Sequence, residues 1–180
     1  MPPRDPRRGS SRSTPRLLGV LAIALLLLRV AAGWYESRNP PRVVELVHWQ
    51  PIESAAEQSL VTGKPILYDF TAEWCTPCHT MAREVFADRK SAETINSMFV
   101  PVRVLDRQRE DGRNSPDVVG LQQRYAVEAF PTLVVVNPGG RPESIEGYPG
   151  RTPLIEQLAR LGVQARMQGK FKNLGQDSLR

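Results

Sequence analysis

Cysteine and histidine are scarce in this chain, with two of each among 180 residues. Two histidines suggest no Ser/His/Asp hydrolytic set. With no second cysteine pair, Cys75, Cys78 and His79 together make a weak structural zinc site. There is no glycine-rich loop of the kind that cradles phosphate; Gly139 and Gly140 fall in Asn137-Pro138-Gly139-Gly140, which reads as a hairpin turn. No internal repeat is visible. An excess of one charge sign is also missing over most of the length. The formal net charge is +5, but residues 1–32 hold six of the 24 Lys and Arg (Arg4, Arg7, Arg8, Arg12, Arg16, Arg29) and one of the 19 Asp and Glu (Asp5), so the remainder balances. The basic character belongs to the N-terminal segment, and no nucleic-acid partner is expected. The series Arg103, Arg107, Arg109, Arg113 is interleaved with Asp106, Glu110 and Asp111 and reads first as a solvated loop, with docking of a partner as its other reading.

What is present begins with an export pattern. Residues 1–16 are rich in Pro, Arg and Ser, without apolar periodicity, and are expected to be a disordered leader. Leu17 to Leu28 is an unbroken apolar run apart from Gly19. A positive region followed by an apolar one of this length reads as a signal. Two outcomes stay open. Val30-Ala31-Ala32 resembles a small-residue cleavage site, which would release a protein beginning at Gly33. Alternatively residues 17–35 form an inner-membrane anchor, with Arg29 snorkelling and Trp34 and Tyr35 at the outer interface. Either way the positive-inside rule sends the remainder outward, to the periplasm in a Gram-negative cell. A buried helix of a soluble domain is the third reading, and the basic leader argues against it.

The length allows one ordinary domain plus appendages. Residues 36–42, with Pro40 and Pro41, read as a linker, 43–162 as the domain and 163–180 as a polar, basic, frayed tail. Within the domain the expected order is a strand over 43–49 and a helix over 52–61 with Ile52, Ala55, Ala56 and Leu60 inward, stopped by Gly63 and Pro65. A central strand over 66–70 follows, then a helix that bends near Asp88 and runs to Met98, a strand over 99–105 and a polar loop to Asp117. A short helix over 118–125 precedes a hairpin of strands 132–136 and 144–147. Thr152, Pro153 and Glu156 open a last helix, with Leu154, Ile155, Leu158 and Leu161 inward. Strands alternating with helices before a terminal hairpin imply an α/β fold, a mixed sheet with helices on both faces.

Both cysteines lie in Ile66 to Phe86. This stretch opens apolar and β-prone, turns at Ala72 to Trp74 and continues with Met81, Ala82, Val85 and Phe86 at the spacing of one helical face. Cys75 is thus placed at a helix N-terminus, at the C-terminal end of a central strand, where open α/β sheets place their sites. Unpaired amides there favour a thiolate and draw its pKa below the free value of about 8.5, which makes Cys75 the candidate nucleophile. Cys78, in the first turn, can close a disulfide back onto it and is expected to be better shielded. Pro77 is tolerated because first-turn amides lack helical partners.

The order strand, Trp-Cys-x-x-Cys, helix, then Phe130-Pro131-Thr132 before a strand resembles the thioredoxin superfamily over about residues 43–161. Within it, Tyr-Asp-Phe-Thr-Ala-Glu-Trp-Cys and the downstream Glu-Val-Phe-Ala-Asp resemble the C-terminal periplasmic domain of thiol:disulfide interchange proteins of the DsbD type and related membrane-tethered thioredoxins. The resemblance implies a thioredoxin fold and a thiol:disulfide oxidoreductase without organic cofactor or metal. Asp69 matches the buried carboxylate that relays the proton of the second cysteine; burial raises a carboxyl pKa, which suits it to accept a proton near neutral pH. Pro131 matches the family's cis-proline, which would hold Phe130 extended to pair with a substrate strand. Trp74 would shield the disulfide or pack in the core. Trp74, Phe130, Pro131 and Thr132 are the implied substrate-binding residues; Phe130 replaces a smaller aliphatic residue common in the family. The dipeptide Thr76-Pro77 is nearer the Gly-Pro of reducing thioredoxins than the Pro-His of strong oxidants, which implies a reductant. The implied substrates are disulfides of exported proteins. Because the multi-span portion of the resembled protein does not occur in this sequence, a separate membrane or extracytoplasmic redox partner is expected.

Three rival readings compete. Cys75-Thr76-Pro77-Cys78-His79 satisfies the C-x-x-C-H signature of c-type haem attachment, with His79 proximal and His48 or a methionine distal. Cys75, Cys78 and His79 could instead carry a soft metal such as Cu(I) for delivery. A merely structural disulfide is the third, and it gains little because the loop it closes is so short.

Overall fold

The computed structural model describes residues 14–38, 43–137 and 141–177. Much of the expected leader (1–13), part of the linker (39–42), the tip of the hairpin (138–140) and the end of the tail (178–180) lie outside the described residues. The chain divides into two units, Met1–Arg42 and Val43–Arg180. In the first, helix α1 spans Thr14–Arg38. Its stretch Leu18–Tyr35 has a mean hydropathy of 2.0 over 18 residues and is unburied, long and apolar enough to cross a membrane; a signal sequence fits the same description.

In the second unit, strands β1 (Ile66–Ala72), β2 (Val100–Asp106), β3 (Thr132–Val136) and β4 (Glu143–Glu146) form, among the described residues, one sheet in the order β2-β1-β3-β4. β1 is parallel to β2 and antiparallel to β3, and β3 is antiparallel to β4. β1 is an almost unbroken apolar run because both faces are covered. Ile66, Tyr68 and Phe70 enter one core with Val100, Val102 and Val104, covered by α2 (Ile52–Thr62) through Ala55 and α6 (Pro116–Arg124) through Val118 and Leu121. Leu67 points the other way, into a core with Leu133, Met81, Phe86, Ile95 of α4 (Arg89–Met98) and Leu154 and Leu158 of the last helix, α7 (Arg151–Asp177). This is the mixed sheet with helices on both faces that the alternation implied.

Several local expectations change. Residues 43–49 make no strand; the segment touches the sheet through an isolated bridge of Gln50 to Val102 and a bond from Gln50 N–H to the Pro101 carbonyl, 2.8 Å. The register explains most of this: with Gln50 opposite Val102 in parallel, residues 43–47 fall opposite 95–99, before β2 begins, and at the last rung Pro101 has no N–H to give the His48 carbonyl. In α2 the inward positions are Ala55 and Ser59, while Ala56 is exposed and Leu60 is 74% exposed. Ser59 turns inward because its hydroxyl donates to the Lys64 carbonyl, 2.6 Å, closing the turn into β1. α7 opens at Arg151, one residue before Thr152, out of Gly150 at φ 102°. It also continues past Leu161 through Asp177, where a frayed tail was expected. Its inward face extends to Gly162 and Ala165. A Cβ on Gly162 would lie 2.6 Å from Met98 Cε and 3.0 Å from Phe99 Cζ, so glycine lets α7 close onto the end of α4.

Gly63 caps α2 in the left-handed region, φ 66°, with its N–H on the Ser59 carbonyl at 2.9 Å. Gly63→Ala keeps that bond but forces a side chain into this conformation, and should cost about 1–2 kcal/mol. Urea unfolding of the two proteins checks it.

Candidate active site

β1 delivers the chain to its C-terminal end at Ala72, and Cys75 N–H returns to the Ala72 carbonyl at 3.1 Å, making the turn. Helix α3 (Thr76–Met81) starts there, with Cys75 as its N-cap and Pro77 in the first turn. The Cys78 N–H donates to Cys75 Sγ at 3.2 Å, so the cap atom is the sulfur itself. Cys75 and Cys78 form a disulfide with Cα atoms 5.3 Å apart. The expected contrast in shielding is not found: Cys75 is 2% exposed and Cys78 5%. Both belong to one buried cluster with Ala72, and Phe130 packs against it. After α3 the chain passes through a π-helical turn, Ala82–Phe86, then Asp88 caps α4 by accepting from Ser91 N–H at 3.0 Å. This is the bend expected near Asp88.

The Phe130–Pro131 peptide is cis. Thr132, next in line, is buried, and its hydroxyl donates to the Ala129 carbonyl at 2.8 Å. Trp74 is 42% exposed and lies outside the core, edge-on to Phe130 with ring centroids 5.9 Å apart. The Arg109 guanidinium covers the Trp74 ring at 3.6 Å. Arg107 pairs with Glu73, 2.7 Å, and Asp111, 2.6 Å. The loop after β2, which contains a short helix α5 (Gln108–Asp111), thus grips two consecutive residues of the active turn. Its root is held by Asp106, which accepts from Gln122 at 2.8 Å and from Asn114 at 2.5 Å.

Asp69 is 1% exposed. Alternation along β1 puts it on the face of Leu67, the face covered by Met81 and Phe86 of the cysteine helix. In register its neighbours are Leu133 on β3 and Arg103 on β2. Arg103 Nε donates to Asp69 Oδ2 at 3.3 Å, while its two terminal nitrogens reach Glu45, at 3.0 and 2.7 Å. Trp49 Nε1 also donates to Glu45, 2.7 Å, and the guanidinium lies 4.2 Å from the Trp49 ring centroid. Asp69 Oδ1 has no hydrogen-bond partner. Burial pushes the Asp69 carboxyl up to about 6; Arg103 opposes the rise and the Glu45 charge adds to it.

The structure therefore brings Phe130 against the cysteine cluster, with Trp74 edge-on to it and Pro131 next in the chain, leaves Thr76 and Pro77 exposed, and buries Asp69 on the sheet face that Met81 and Phe86 cover. His79 is exposed, its Nε2 2.6 Å from the Glu73 carbonyl oxygen. No three His, Cys, Asp or Glu side chains gather as a metal-holding group among the described residues. The arginine series is a correction. Arg103 is a half-buried strand residue against Asp69, and Arg109 sits on Trp74, so neither belongs to a merely solvated loop. Arg103 had a signal, a lone cation in Val-Pro-Val-Arg-Val-Leu, and Glu45 had the same one, a lone anion in Val-Val-Glu-Leu-Val.

Two outcomes follow from this geometry. A carboxyl whose folded pKa lies near 6, against about 3.9 unfolded, opposes folding once ionised; the cost is absent below both values, grows between them and stays at about 3 kcal/mol above. Asp69→Asn should therefore raise stability in urea at pH 8 by up to about that amount and give little difference near pH 4. Phe130→Ala should expose the disulfide and speed its reduction by dithiothreitol several-fold, read from single-turnover kinetics.

A family model of the thioredoxin-like domain matches residues 52–162. The chain is 26% identical over 156 residues to the thiol:disulfide interchange protein DsbD of Vibrio cholerae, covering 82% of this chain and 24% of that one. It is 27% identical over 130 residues to the thiol:disulfide interchange protein TxlA of Synechococcus elongatus, covering 72% and 63%. The chain thus spans only about a quarter of the DsbD relative's length. Among solved structures, a thioredoxin from Thermus thermophilus superposes with a TM-score of 0.54 at 24% identity, covering 66% of this chain and 89% of that one, a likeness of fold. With the family match running over the sheet, the cysteine helix and the cis-proline loop described above, the chain belongs to the thioredoxin-like domain family.

Proposed function

We propose that the protein is an extracytoplasmic thiol:disulfide oxidoreductase that reduces disulfides of exported proteins through Cys75 and Cys78. The observation that carries this reading is the Cys75–Cys78 disulfide at the head of a helix, roofed by Phe130, over a sheet face bearing a buried carboxylate with one oxygen unpartnered. The names of the relatives, thiol:disulfide interchange proteins, agree with it.

In the reduced protein the Cys75 thiolate, stabilised at the helix N-terminus by donors such as the Cys78 N–H, attacks one sulfur of a substrate disulfide. A Cys75–substrate bond forms, the substrate S–S bond breaks, and the first substrate sulfur leaves as a thiolate. Asp69 then accepts the Cys78 thiol proton, and the Cys78 thiolate attacks Cys75 Sγ. The Cys75–Cys78 bond forms and the second substrate sulfur leaves, so two electrons have passed to the substrate. The disulfide state described here is the product of that turnover, and a dithiol partner resets it. Phe130, Pro131 and Thr132 offer the substrate a backbone to pair with, and Trp74 stands beside it. Thr76-Pro77 supports the reducing direction. The apolar α1 supports export and either an anchor or a cleaved signal.

Cys75→Ser should abolish reduction of a disulfide substrate, and Cys78→Ala should accumulate the mixed disulfide, seen as a mass increase that dithiothreitol removes; activity surviving loss of both cysteines sinks the mechanism. The direction is tested by equilibrating the full chain in dithiothreitol and glutathione buffers. A reduction potential near about −270 mV is expected of a reductase, and one near about −120 mV reverses the assignment.

A further inference from the structure

Arg103 is the one cation bonded to Asp69 among the described residues, yet most of its bonding capacity is spent elsewhere. A guanidinium facing a carboxylate normally closes on it with two parallel N–H···O bonds. Here that bidentate pairing is made with Glu45, at 3.0 and 2.7 Å, and Asp69 keeps a single contact of 3.3 Å from Nε. Glu45 is fixed in turn. Trp49 Nε1 donates to it at 2.7 Å, the Trp49 ring lies against the guanidinium at 4.2 Å, and Phe86 is 5.5 Å away on the π-helical turn. Leu46 N–H donates to the Phe86 carbonyl at 2.7 Å and ties the segment to that turn. The result is a carboxylate with one oxygen weakly held and the other, Oδ1, unpartnered and buried.

We propose that Glu45 is a positioning residue for the thiol–disulfide reaction: by engaging Arg103 through both terminal nitrogens, it stops the cation from closing on Asp69 and keeps Asp69 able to take the Cys78 proton. This rests on the base role proposed above for Asp69. A carboxylate clamped by a bidentate arginine is too weak a base to take a thiol proton effectively, and one with no cation nearby is too costly to ionise. Glu45 holds the site between the two. The other groups facing Asp69 leave the balance to this pair. Its register neighbour on β3 is Leu133, and the helix residues on the same face, Met81, Val85 and Phe86, are uncharged. Arg103 and Glu45 are the charged groups that act on Asp69, and Cys75 and Cys78 stand at the head of that helix.

Glu45→Gln keeps the size and an acceptor for Trp49 while removing the charge. Two readouts on the reduced full chain in detergent test it: Asp69 titration by infrared difference spectroscopy of the protonated carboxyl, and the pH profile of mixed-disulfide resolution by stopped flow. The expected result is an Asp69 titration lower by about one pH unit, an acid limb of resolution shifted with it, and a plateau about three-fold lower as the base weakens. Glu45→Asp, which keeps the charge, should return both readouts toward the native values, which a general packing defect would not do. An Asp69 titration unmoved by Glu45→Gln overturns the role of Glu45 and leaves the base role of Asp69 standing. A lowered titration with an unmoved resolution profile overturns the base role, and the proposal falls with it.

Discussion

A carboxyl group on the inner strand of an apolar sheet gives up its hydration, and the way this loss is partly offset at Asp69 organises the surrounding structure. Arg103 reaches it from the neighbouring strand, Glu45 holds Arg103 from the 43–50 segment, and Trp49 and Phe86 wall off the guanidinium. The π-helical turn at Ala82–Phe86 belongs to the same arrangement, since it presents both the Phe86 ring and the carbonyl that receives Leu46. Buried charges of this kind contribute little net stability, because desolvation offsets much of their attraction.

The disulfide sits at the other end of the same physical logic. β1 carries Asp69 in its interior and the active turn at its C-terminus, so strand register fixes the carboxylate and the helix N-terminus together. Phe130 packs against the cysteine cluster and Trp74 lies edge-on to it, covered in turn by the Arg109 guanidinium. Exposed ion pairs such as Arg107 with Glu73 contribute little stability individually. Their value is geometric, because they attach the loop after β2 to consecutive residues of the turn, and Asp106 anchors that loop at its root.

Much of this is readable from the residues. The apolar neighbours in Ile66 to Phe70 mark a central strand, and they favour burial of the aspartate among them over an edge or solvated one. Trp-Cys-x-x-Cys after that strand, and Phe130-Pro131-Thr132 before another, locate the site. What escapes is set by non-local pairing. Arg103 meets Asp69 through the β1–β2 register, and Glu45 joins them from 58 positions away. Helix α2 misleads for a local reason: Ala56 and Leu60 look like an inward pair, but the turn chemistry of Ser59 selects the adjacent face. The path of residues 43–49 depends on a partner strand some fifty residues downstream, which begins only at Val100 and leaves most of the segment without a strand to pair with.

Pro101 has a wider consequence. An open strand edge is a template on which another chain, including a second copy of the same protein, can aggregate. Here β2 offers an edge interrupted at Pro101 and already occupied near it by Gln50, while β4 at the far side is four residues long and carries Glu143 and Glu146. Both flanks of the sheet are thus poor seeds for intermolecular growth. The cis Phe130–Pro131 peptide stands on neither flank: it leads into the inner strand β3, with Phe130 packed against the cysteine cluster.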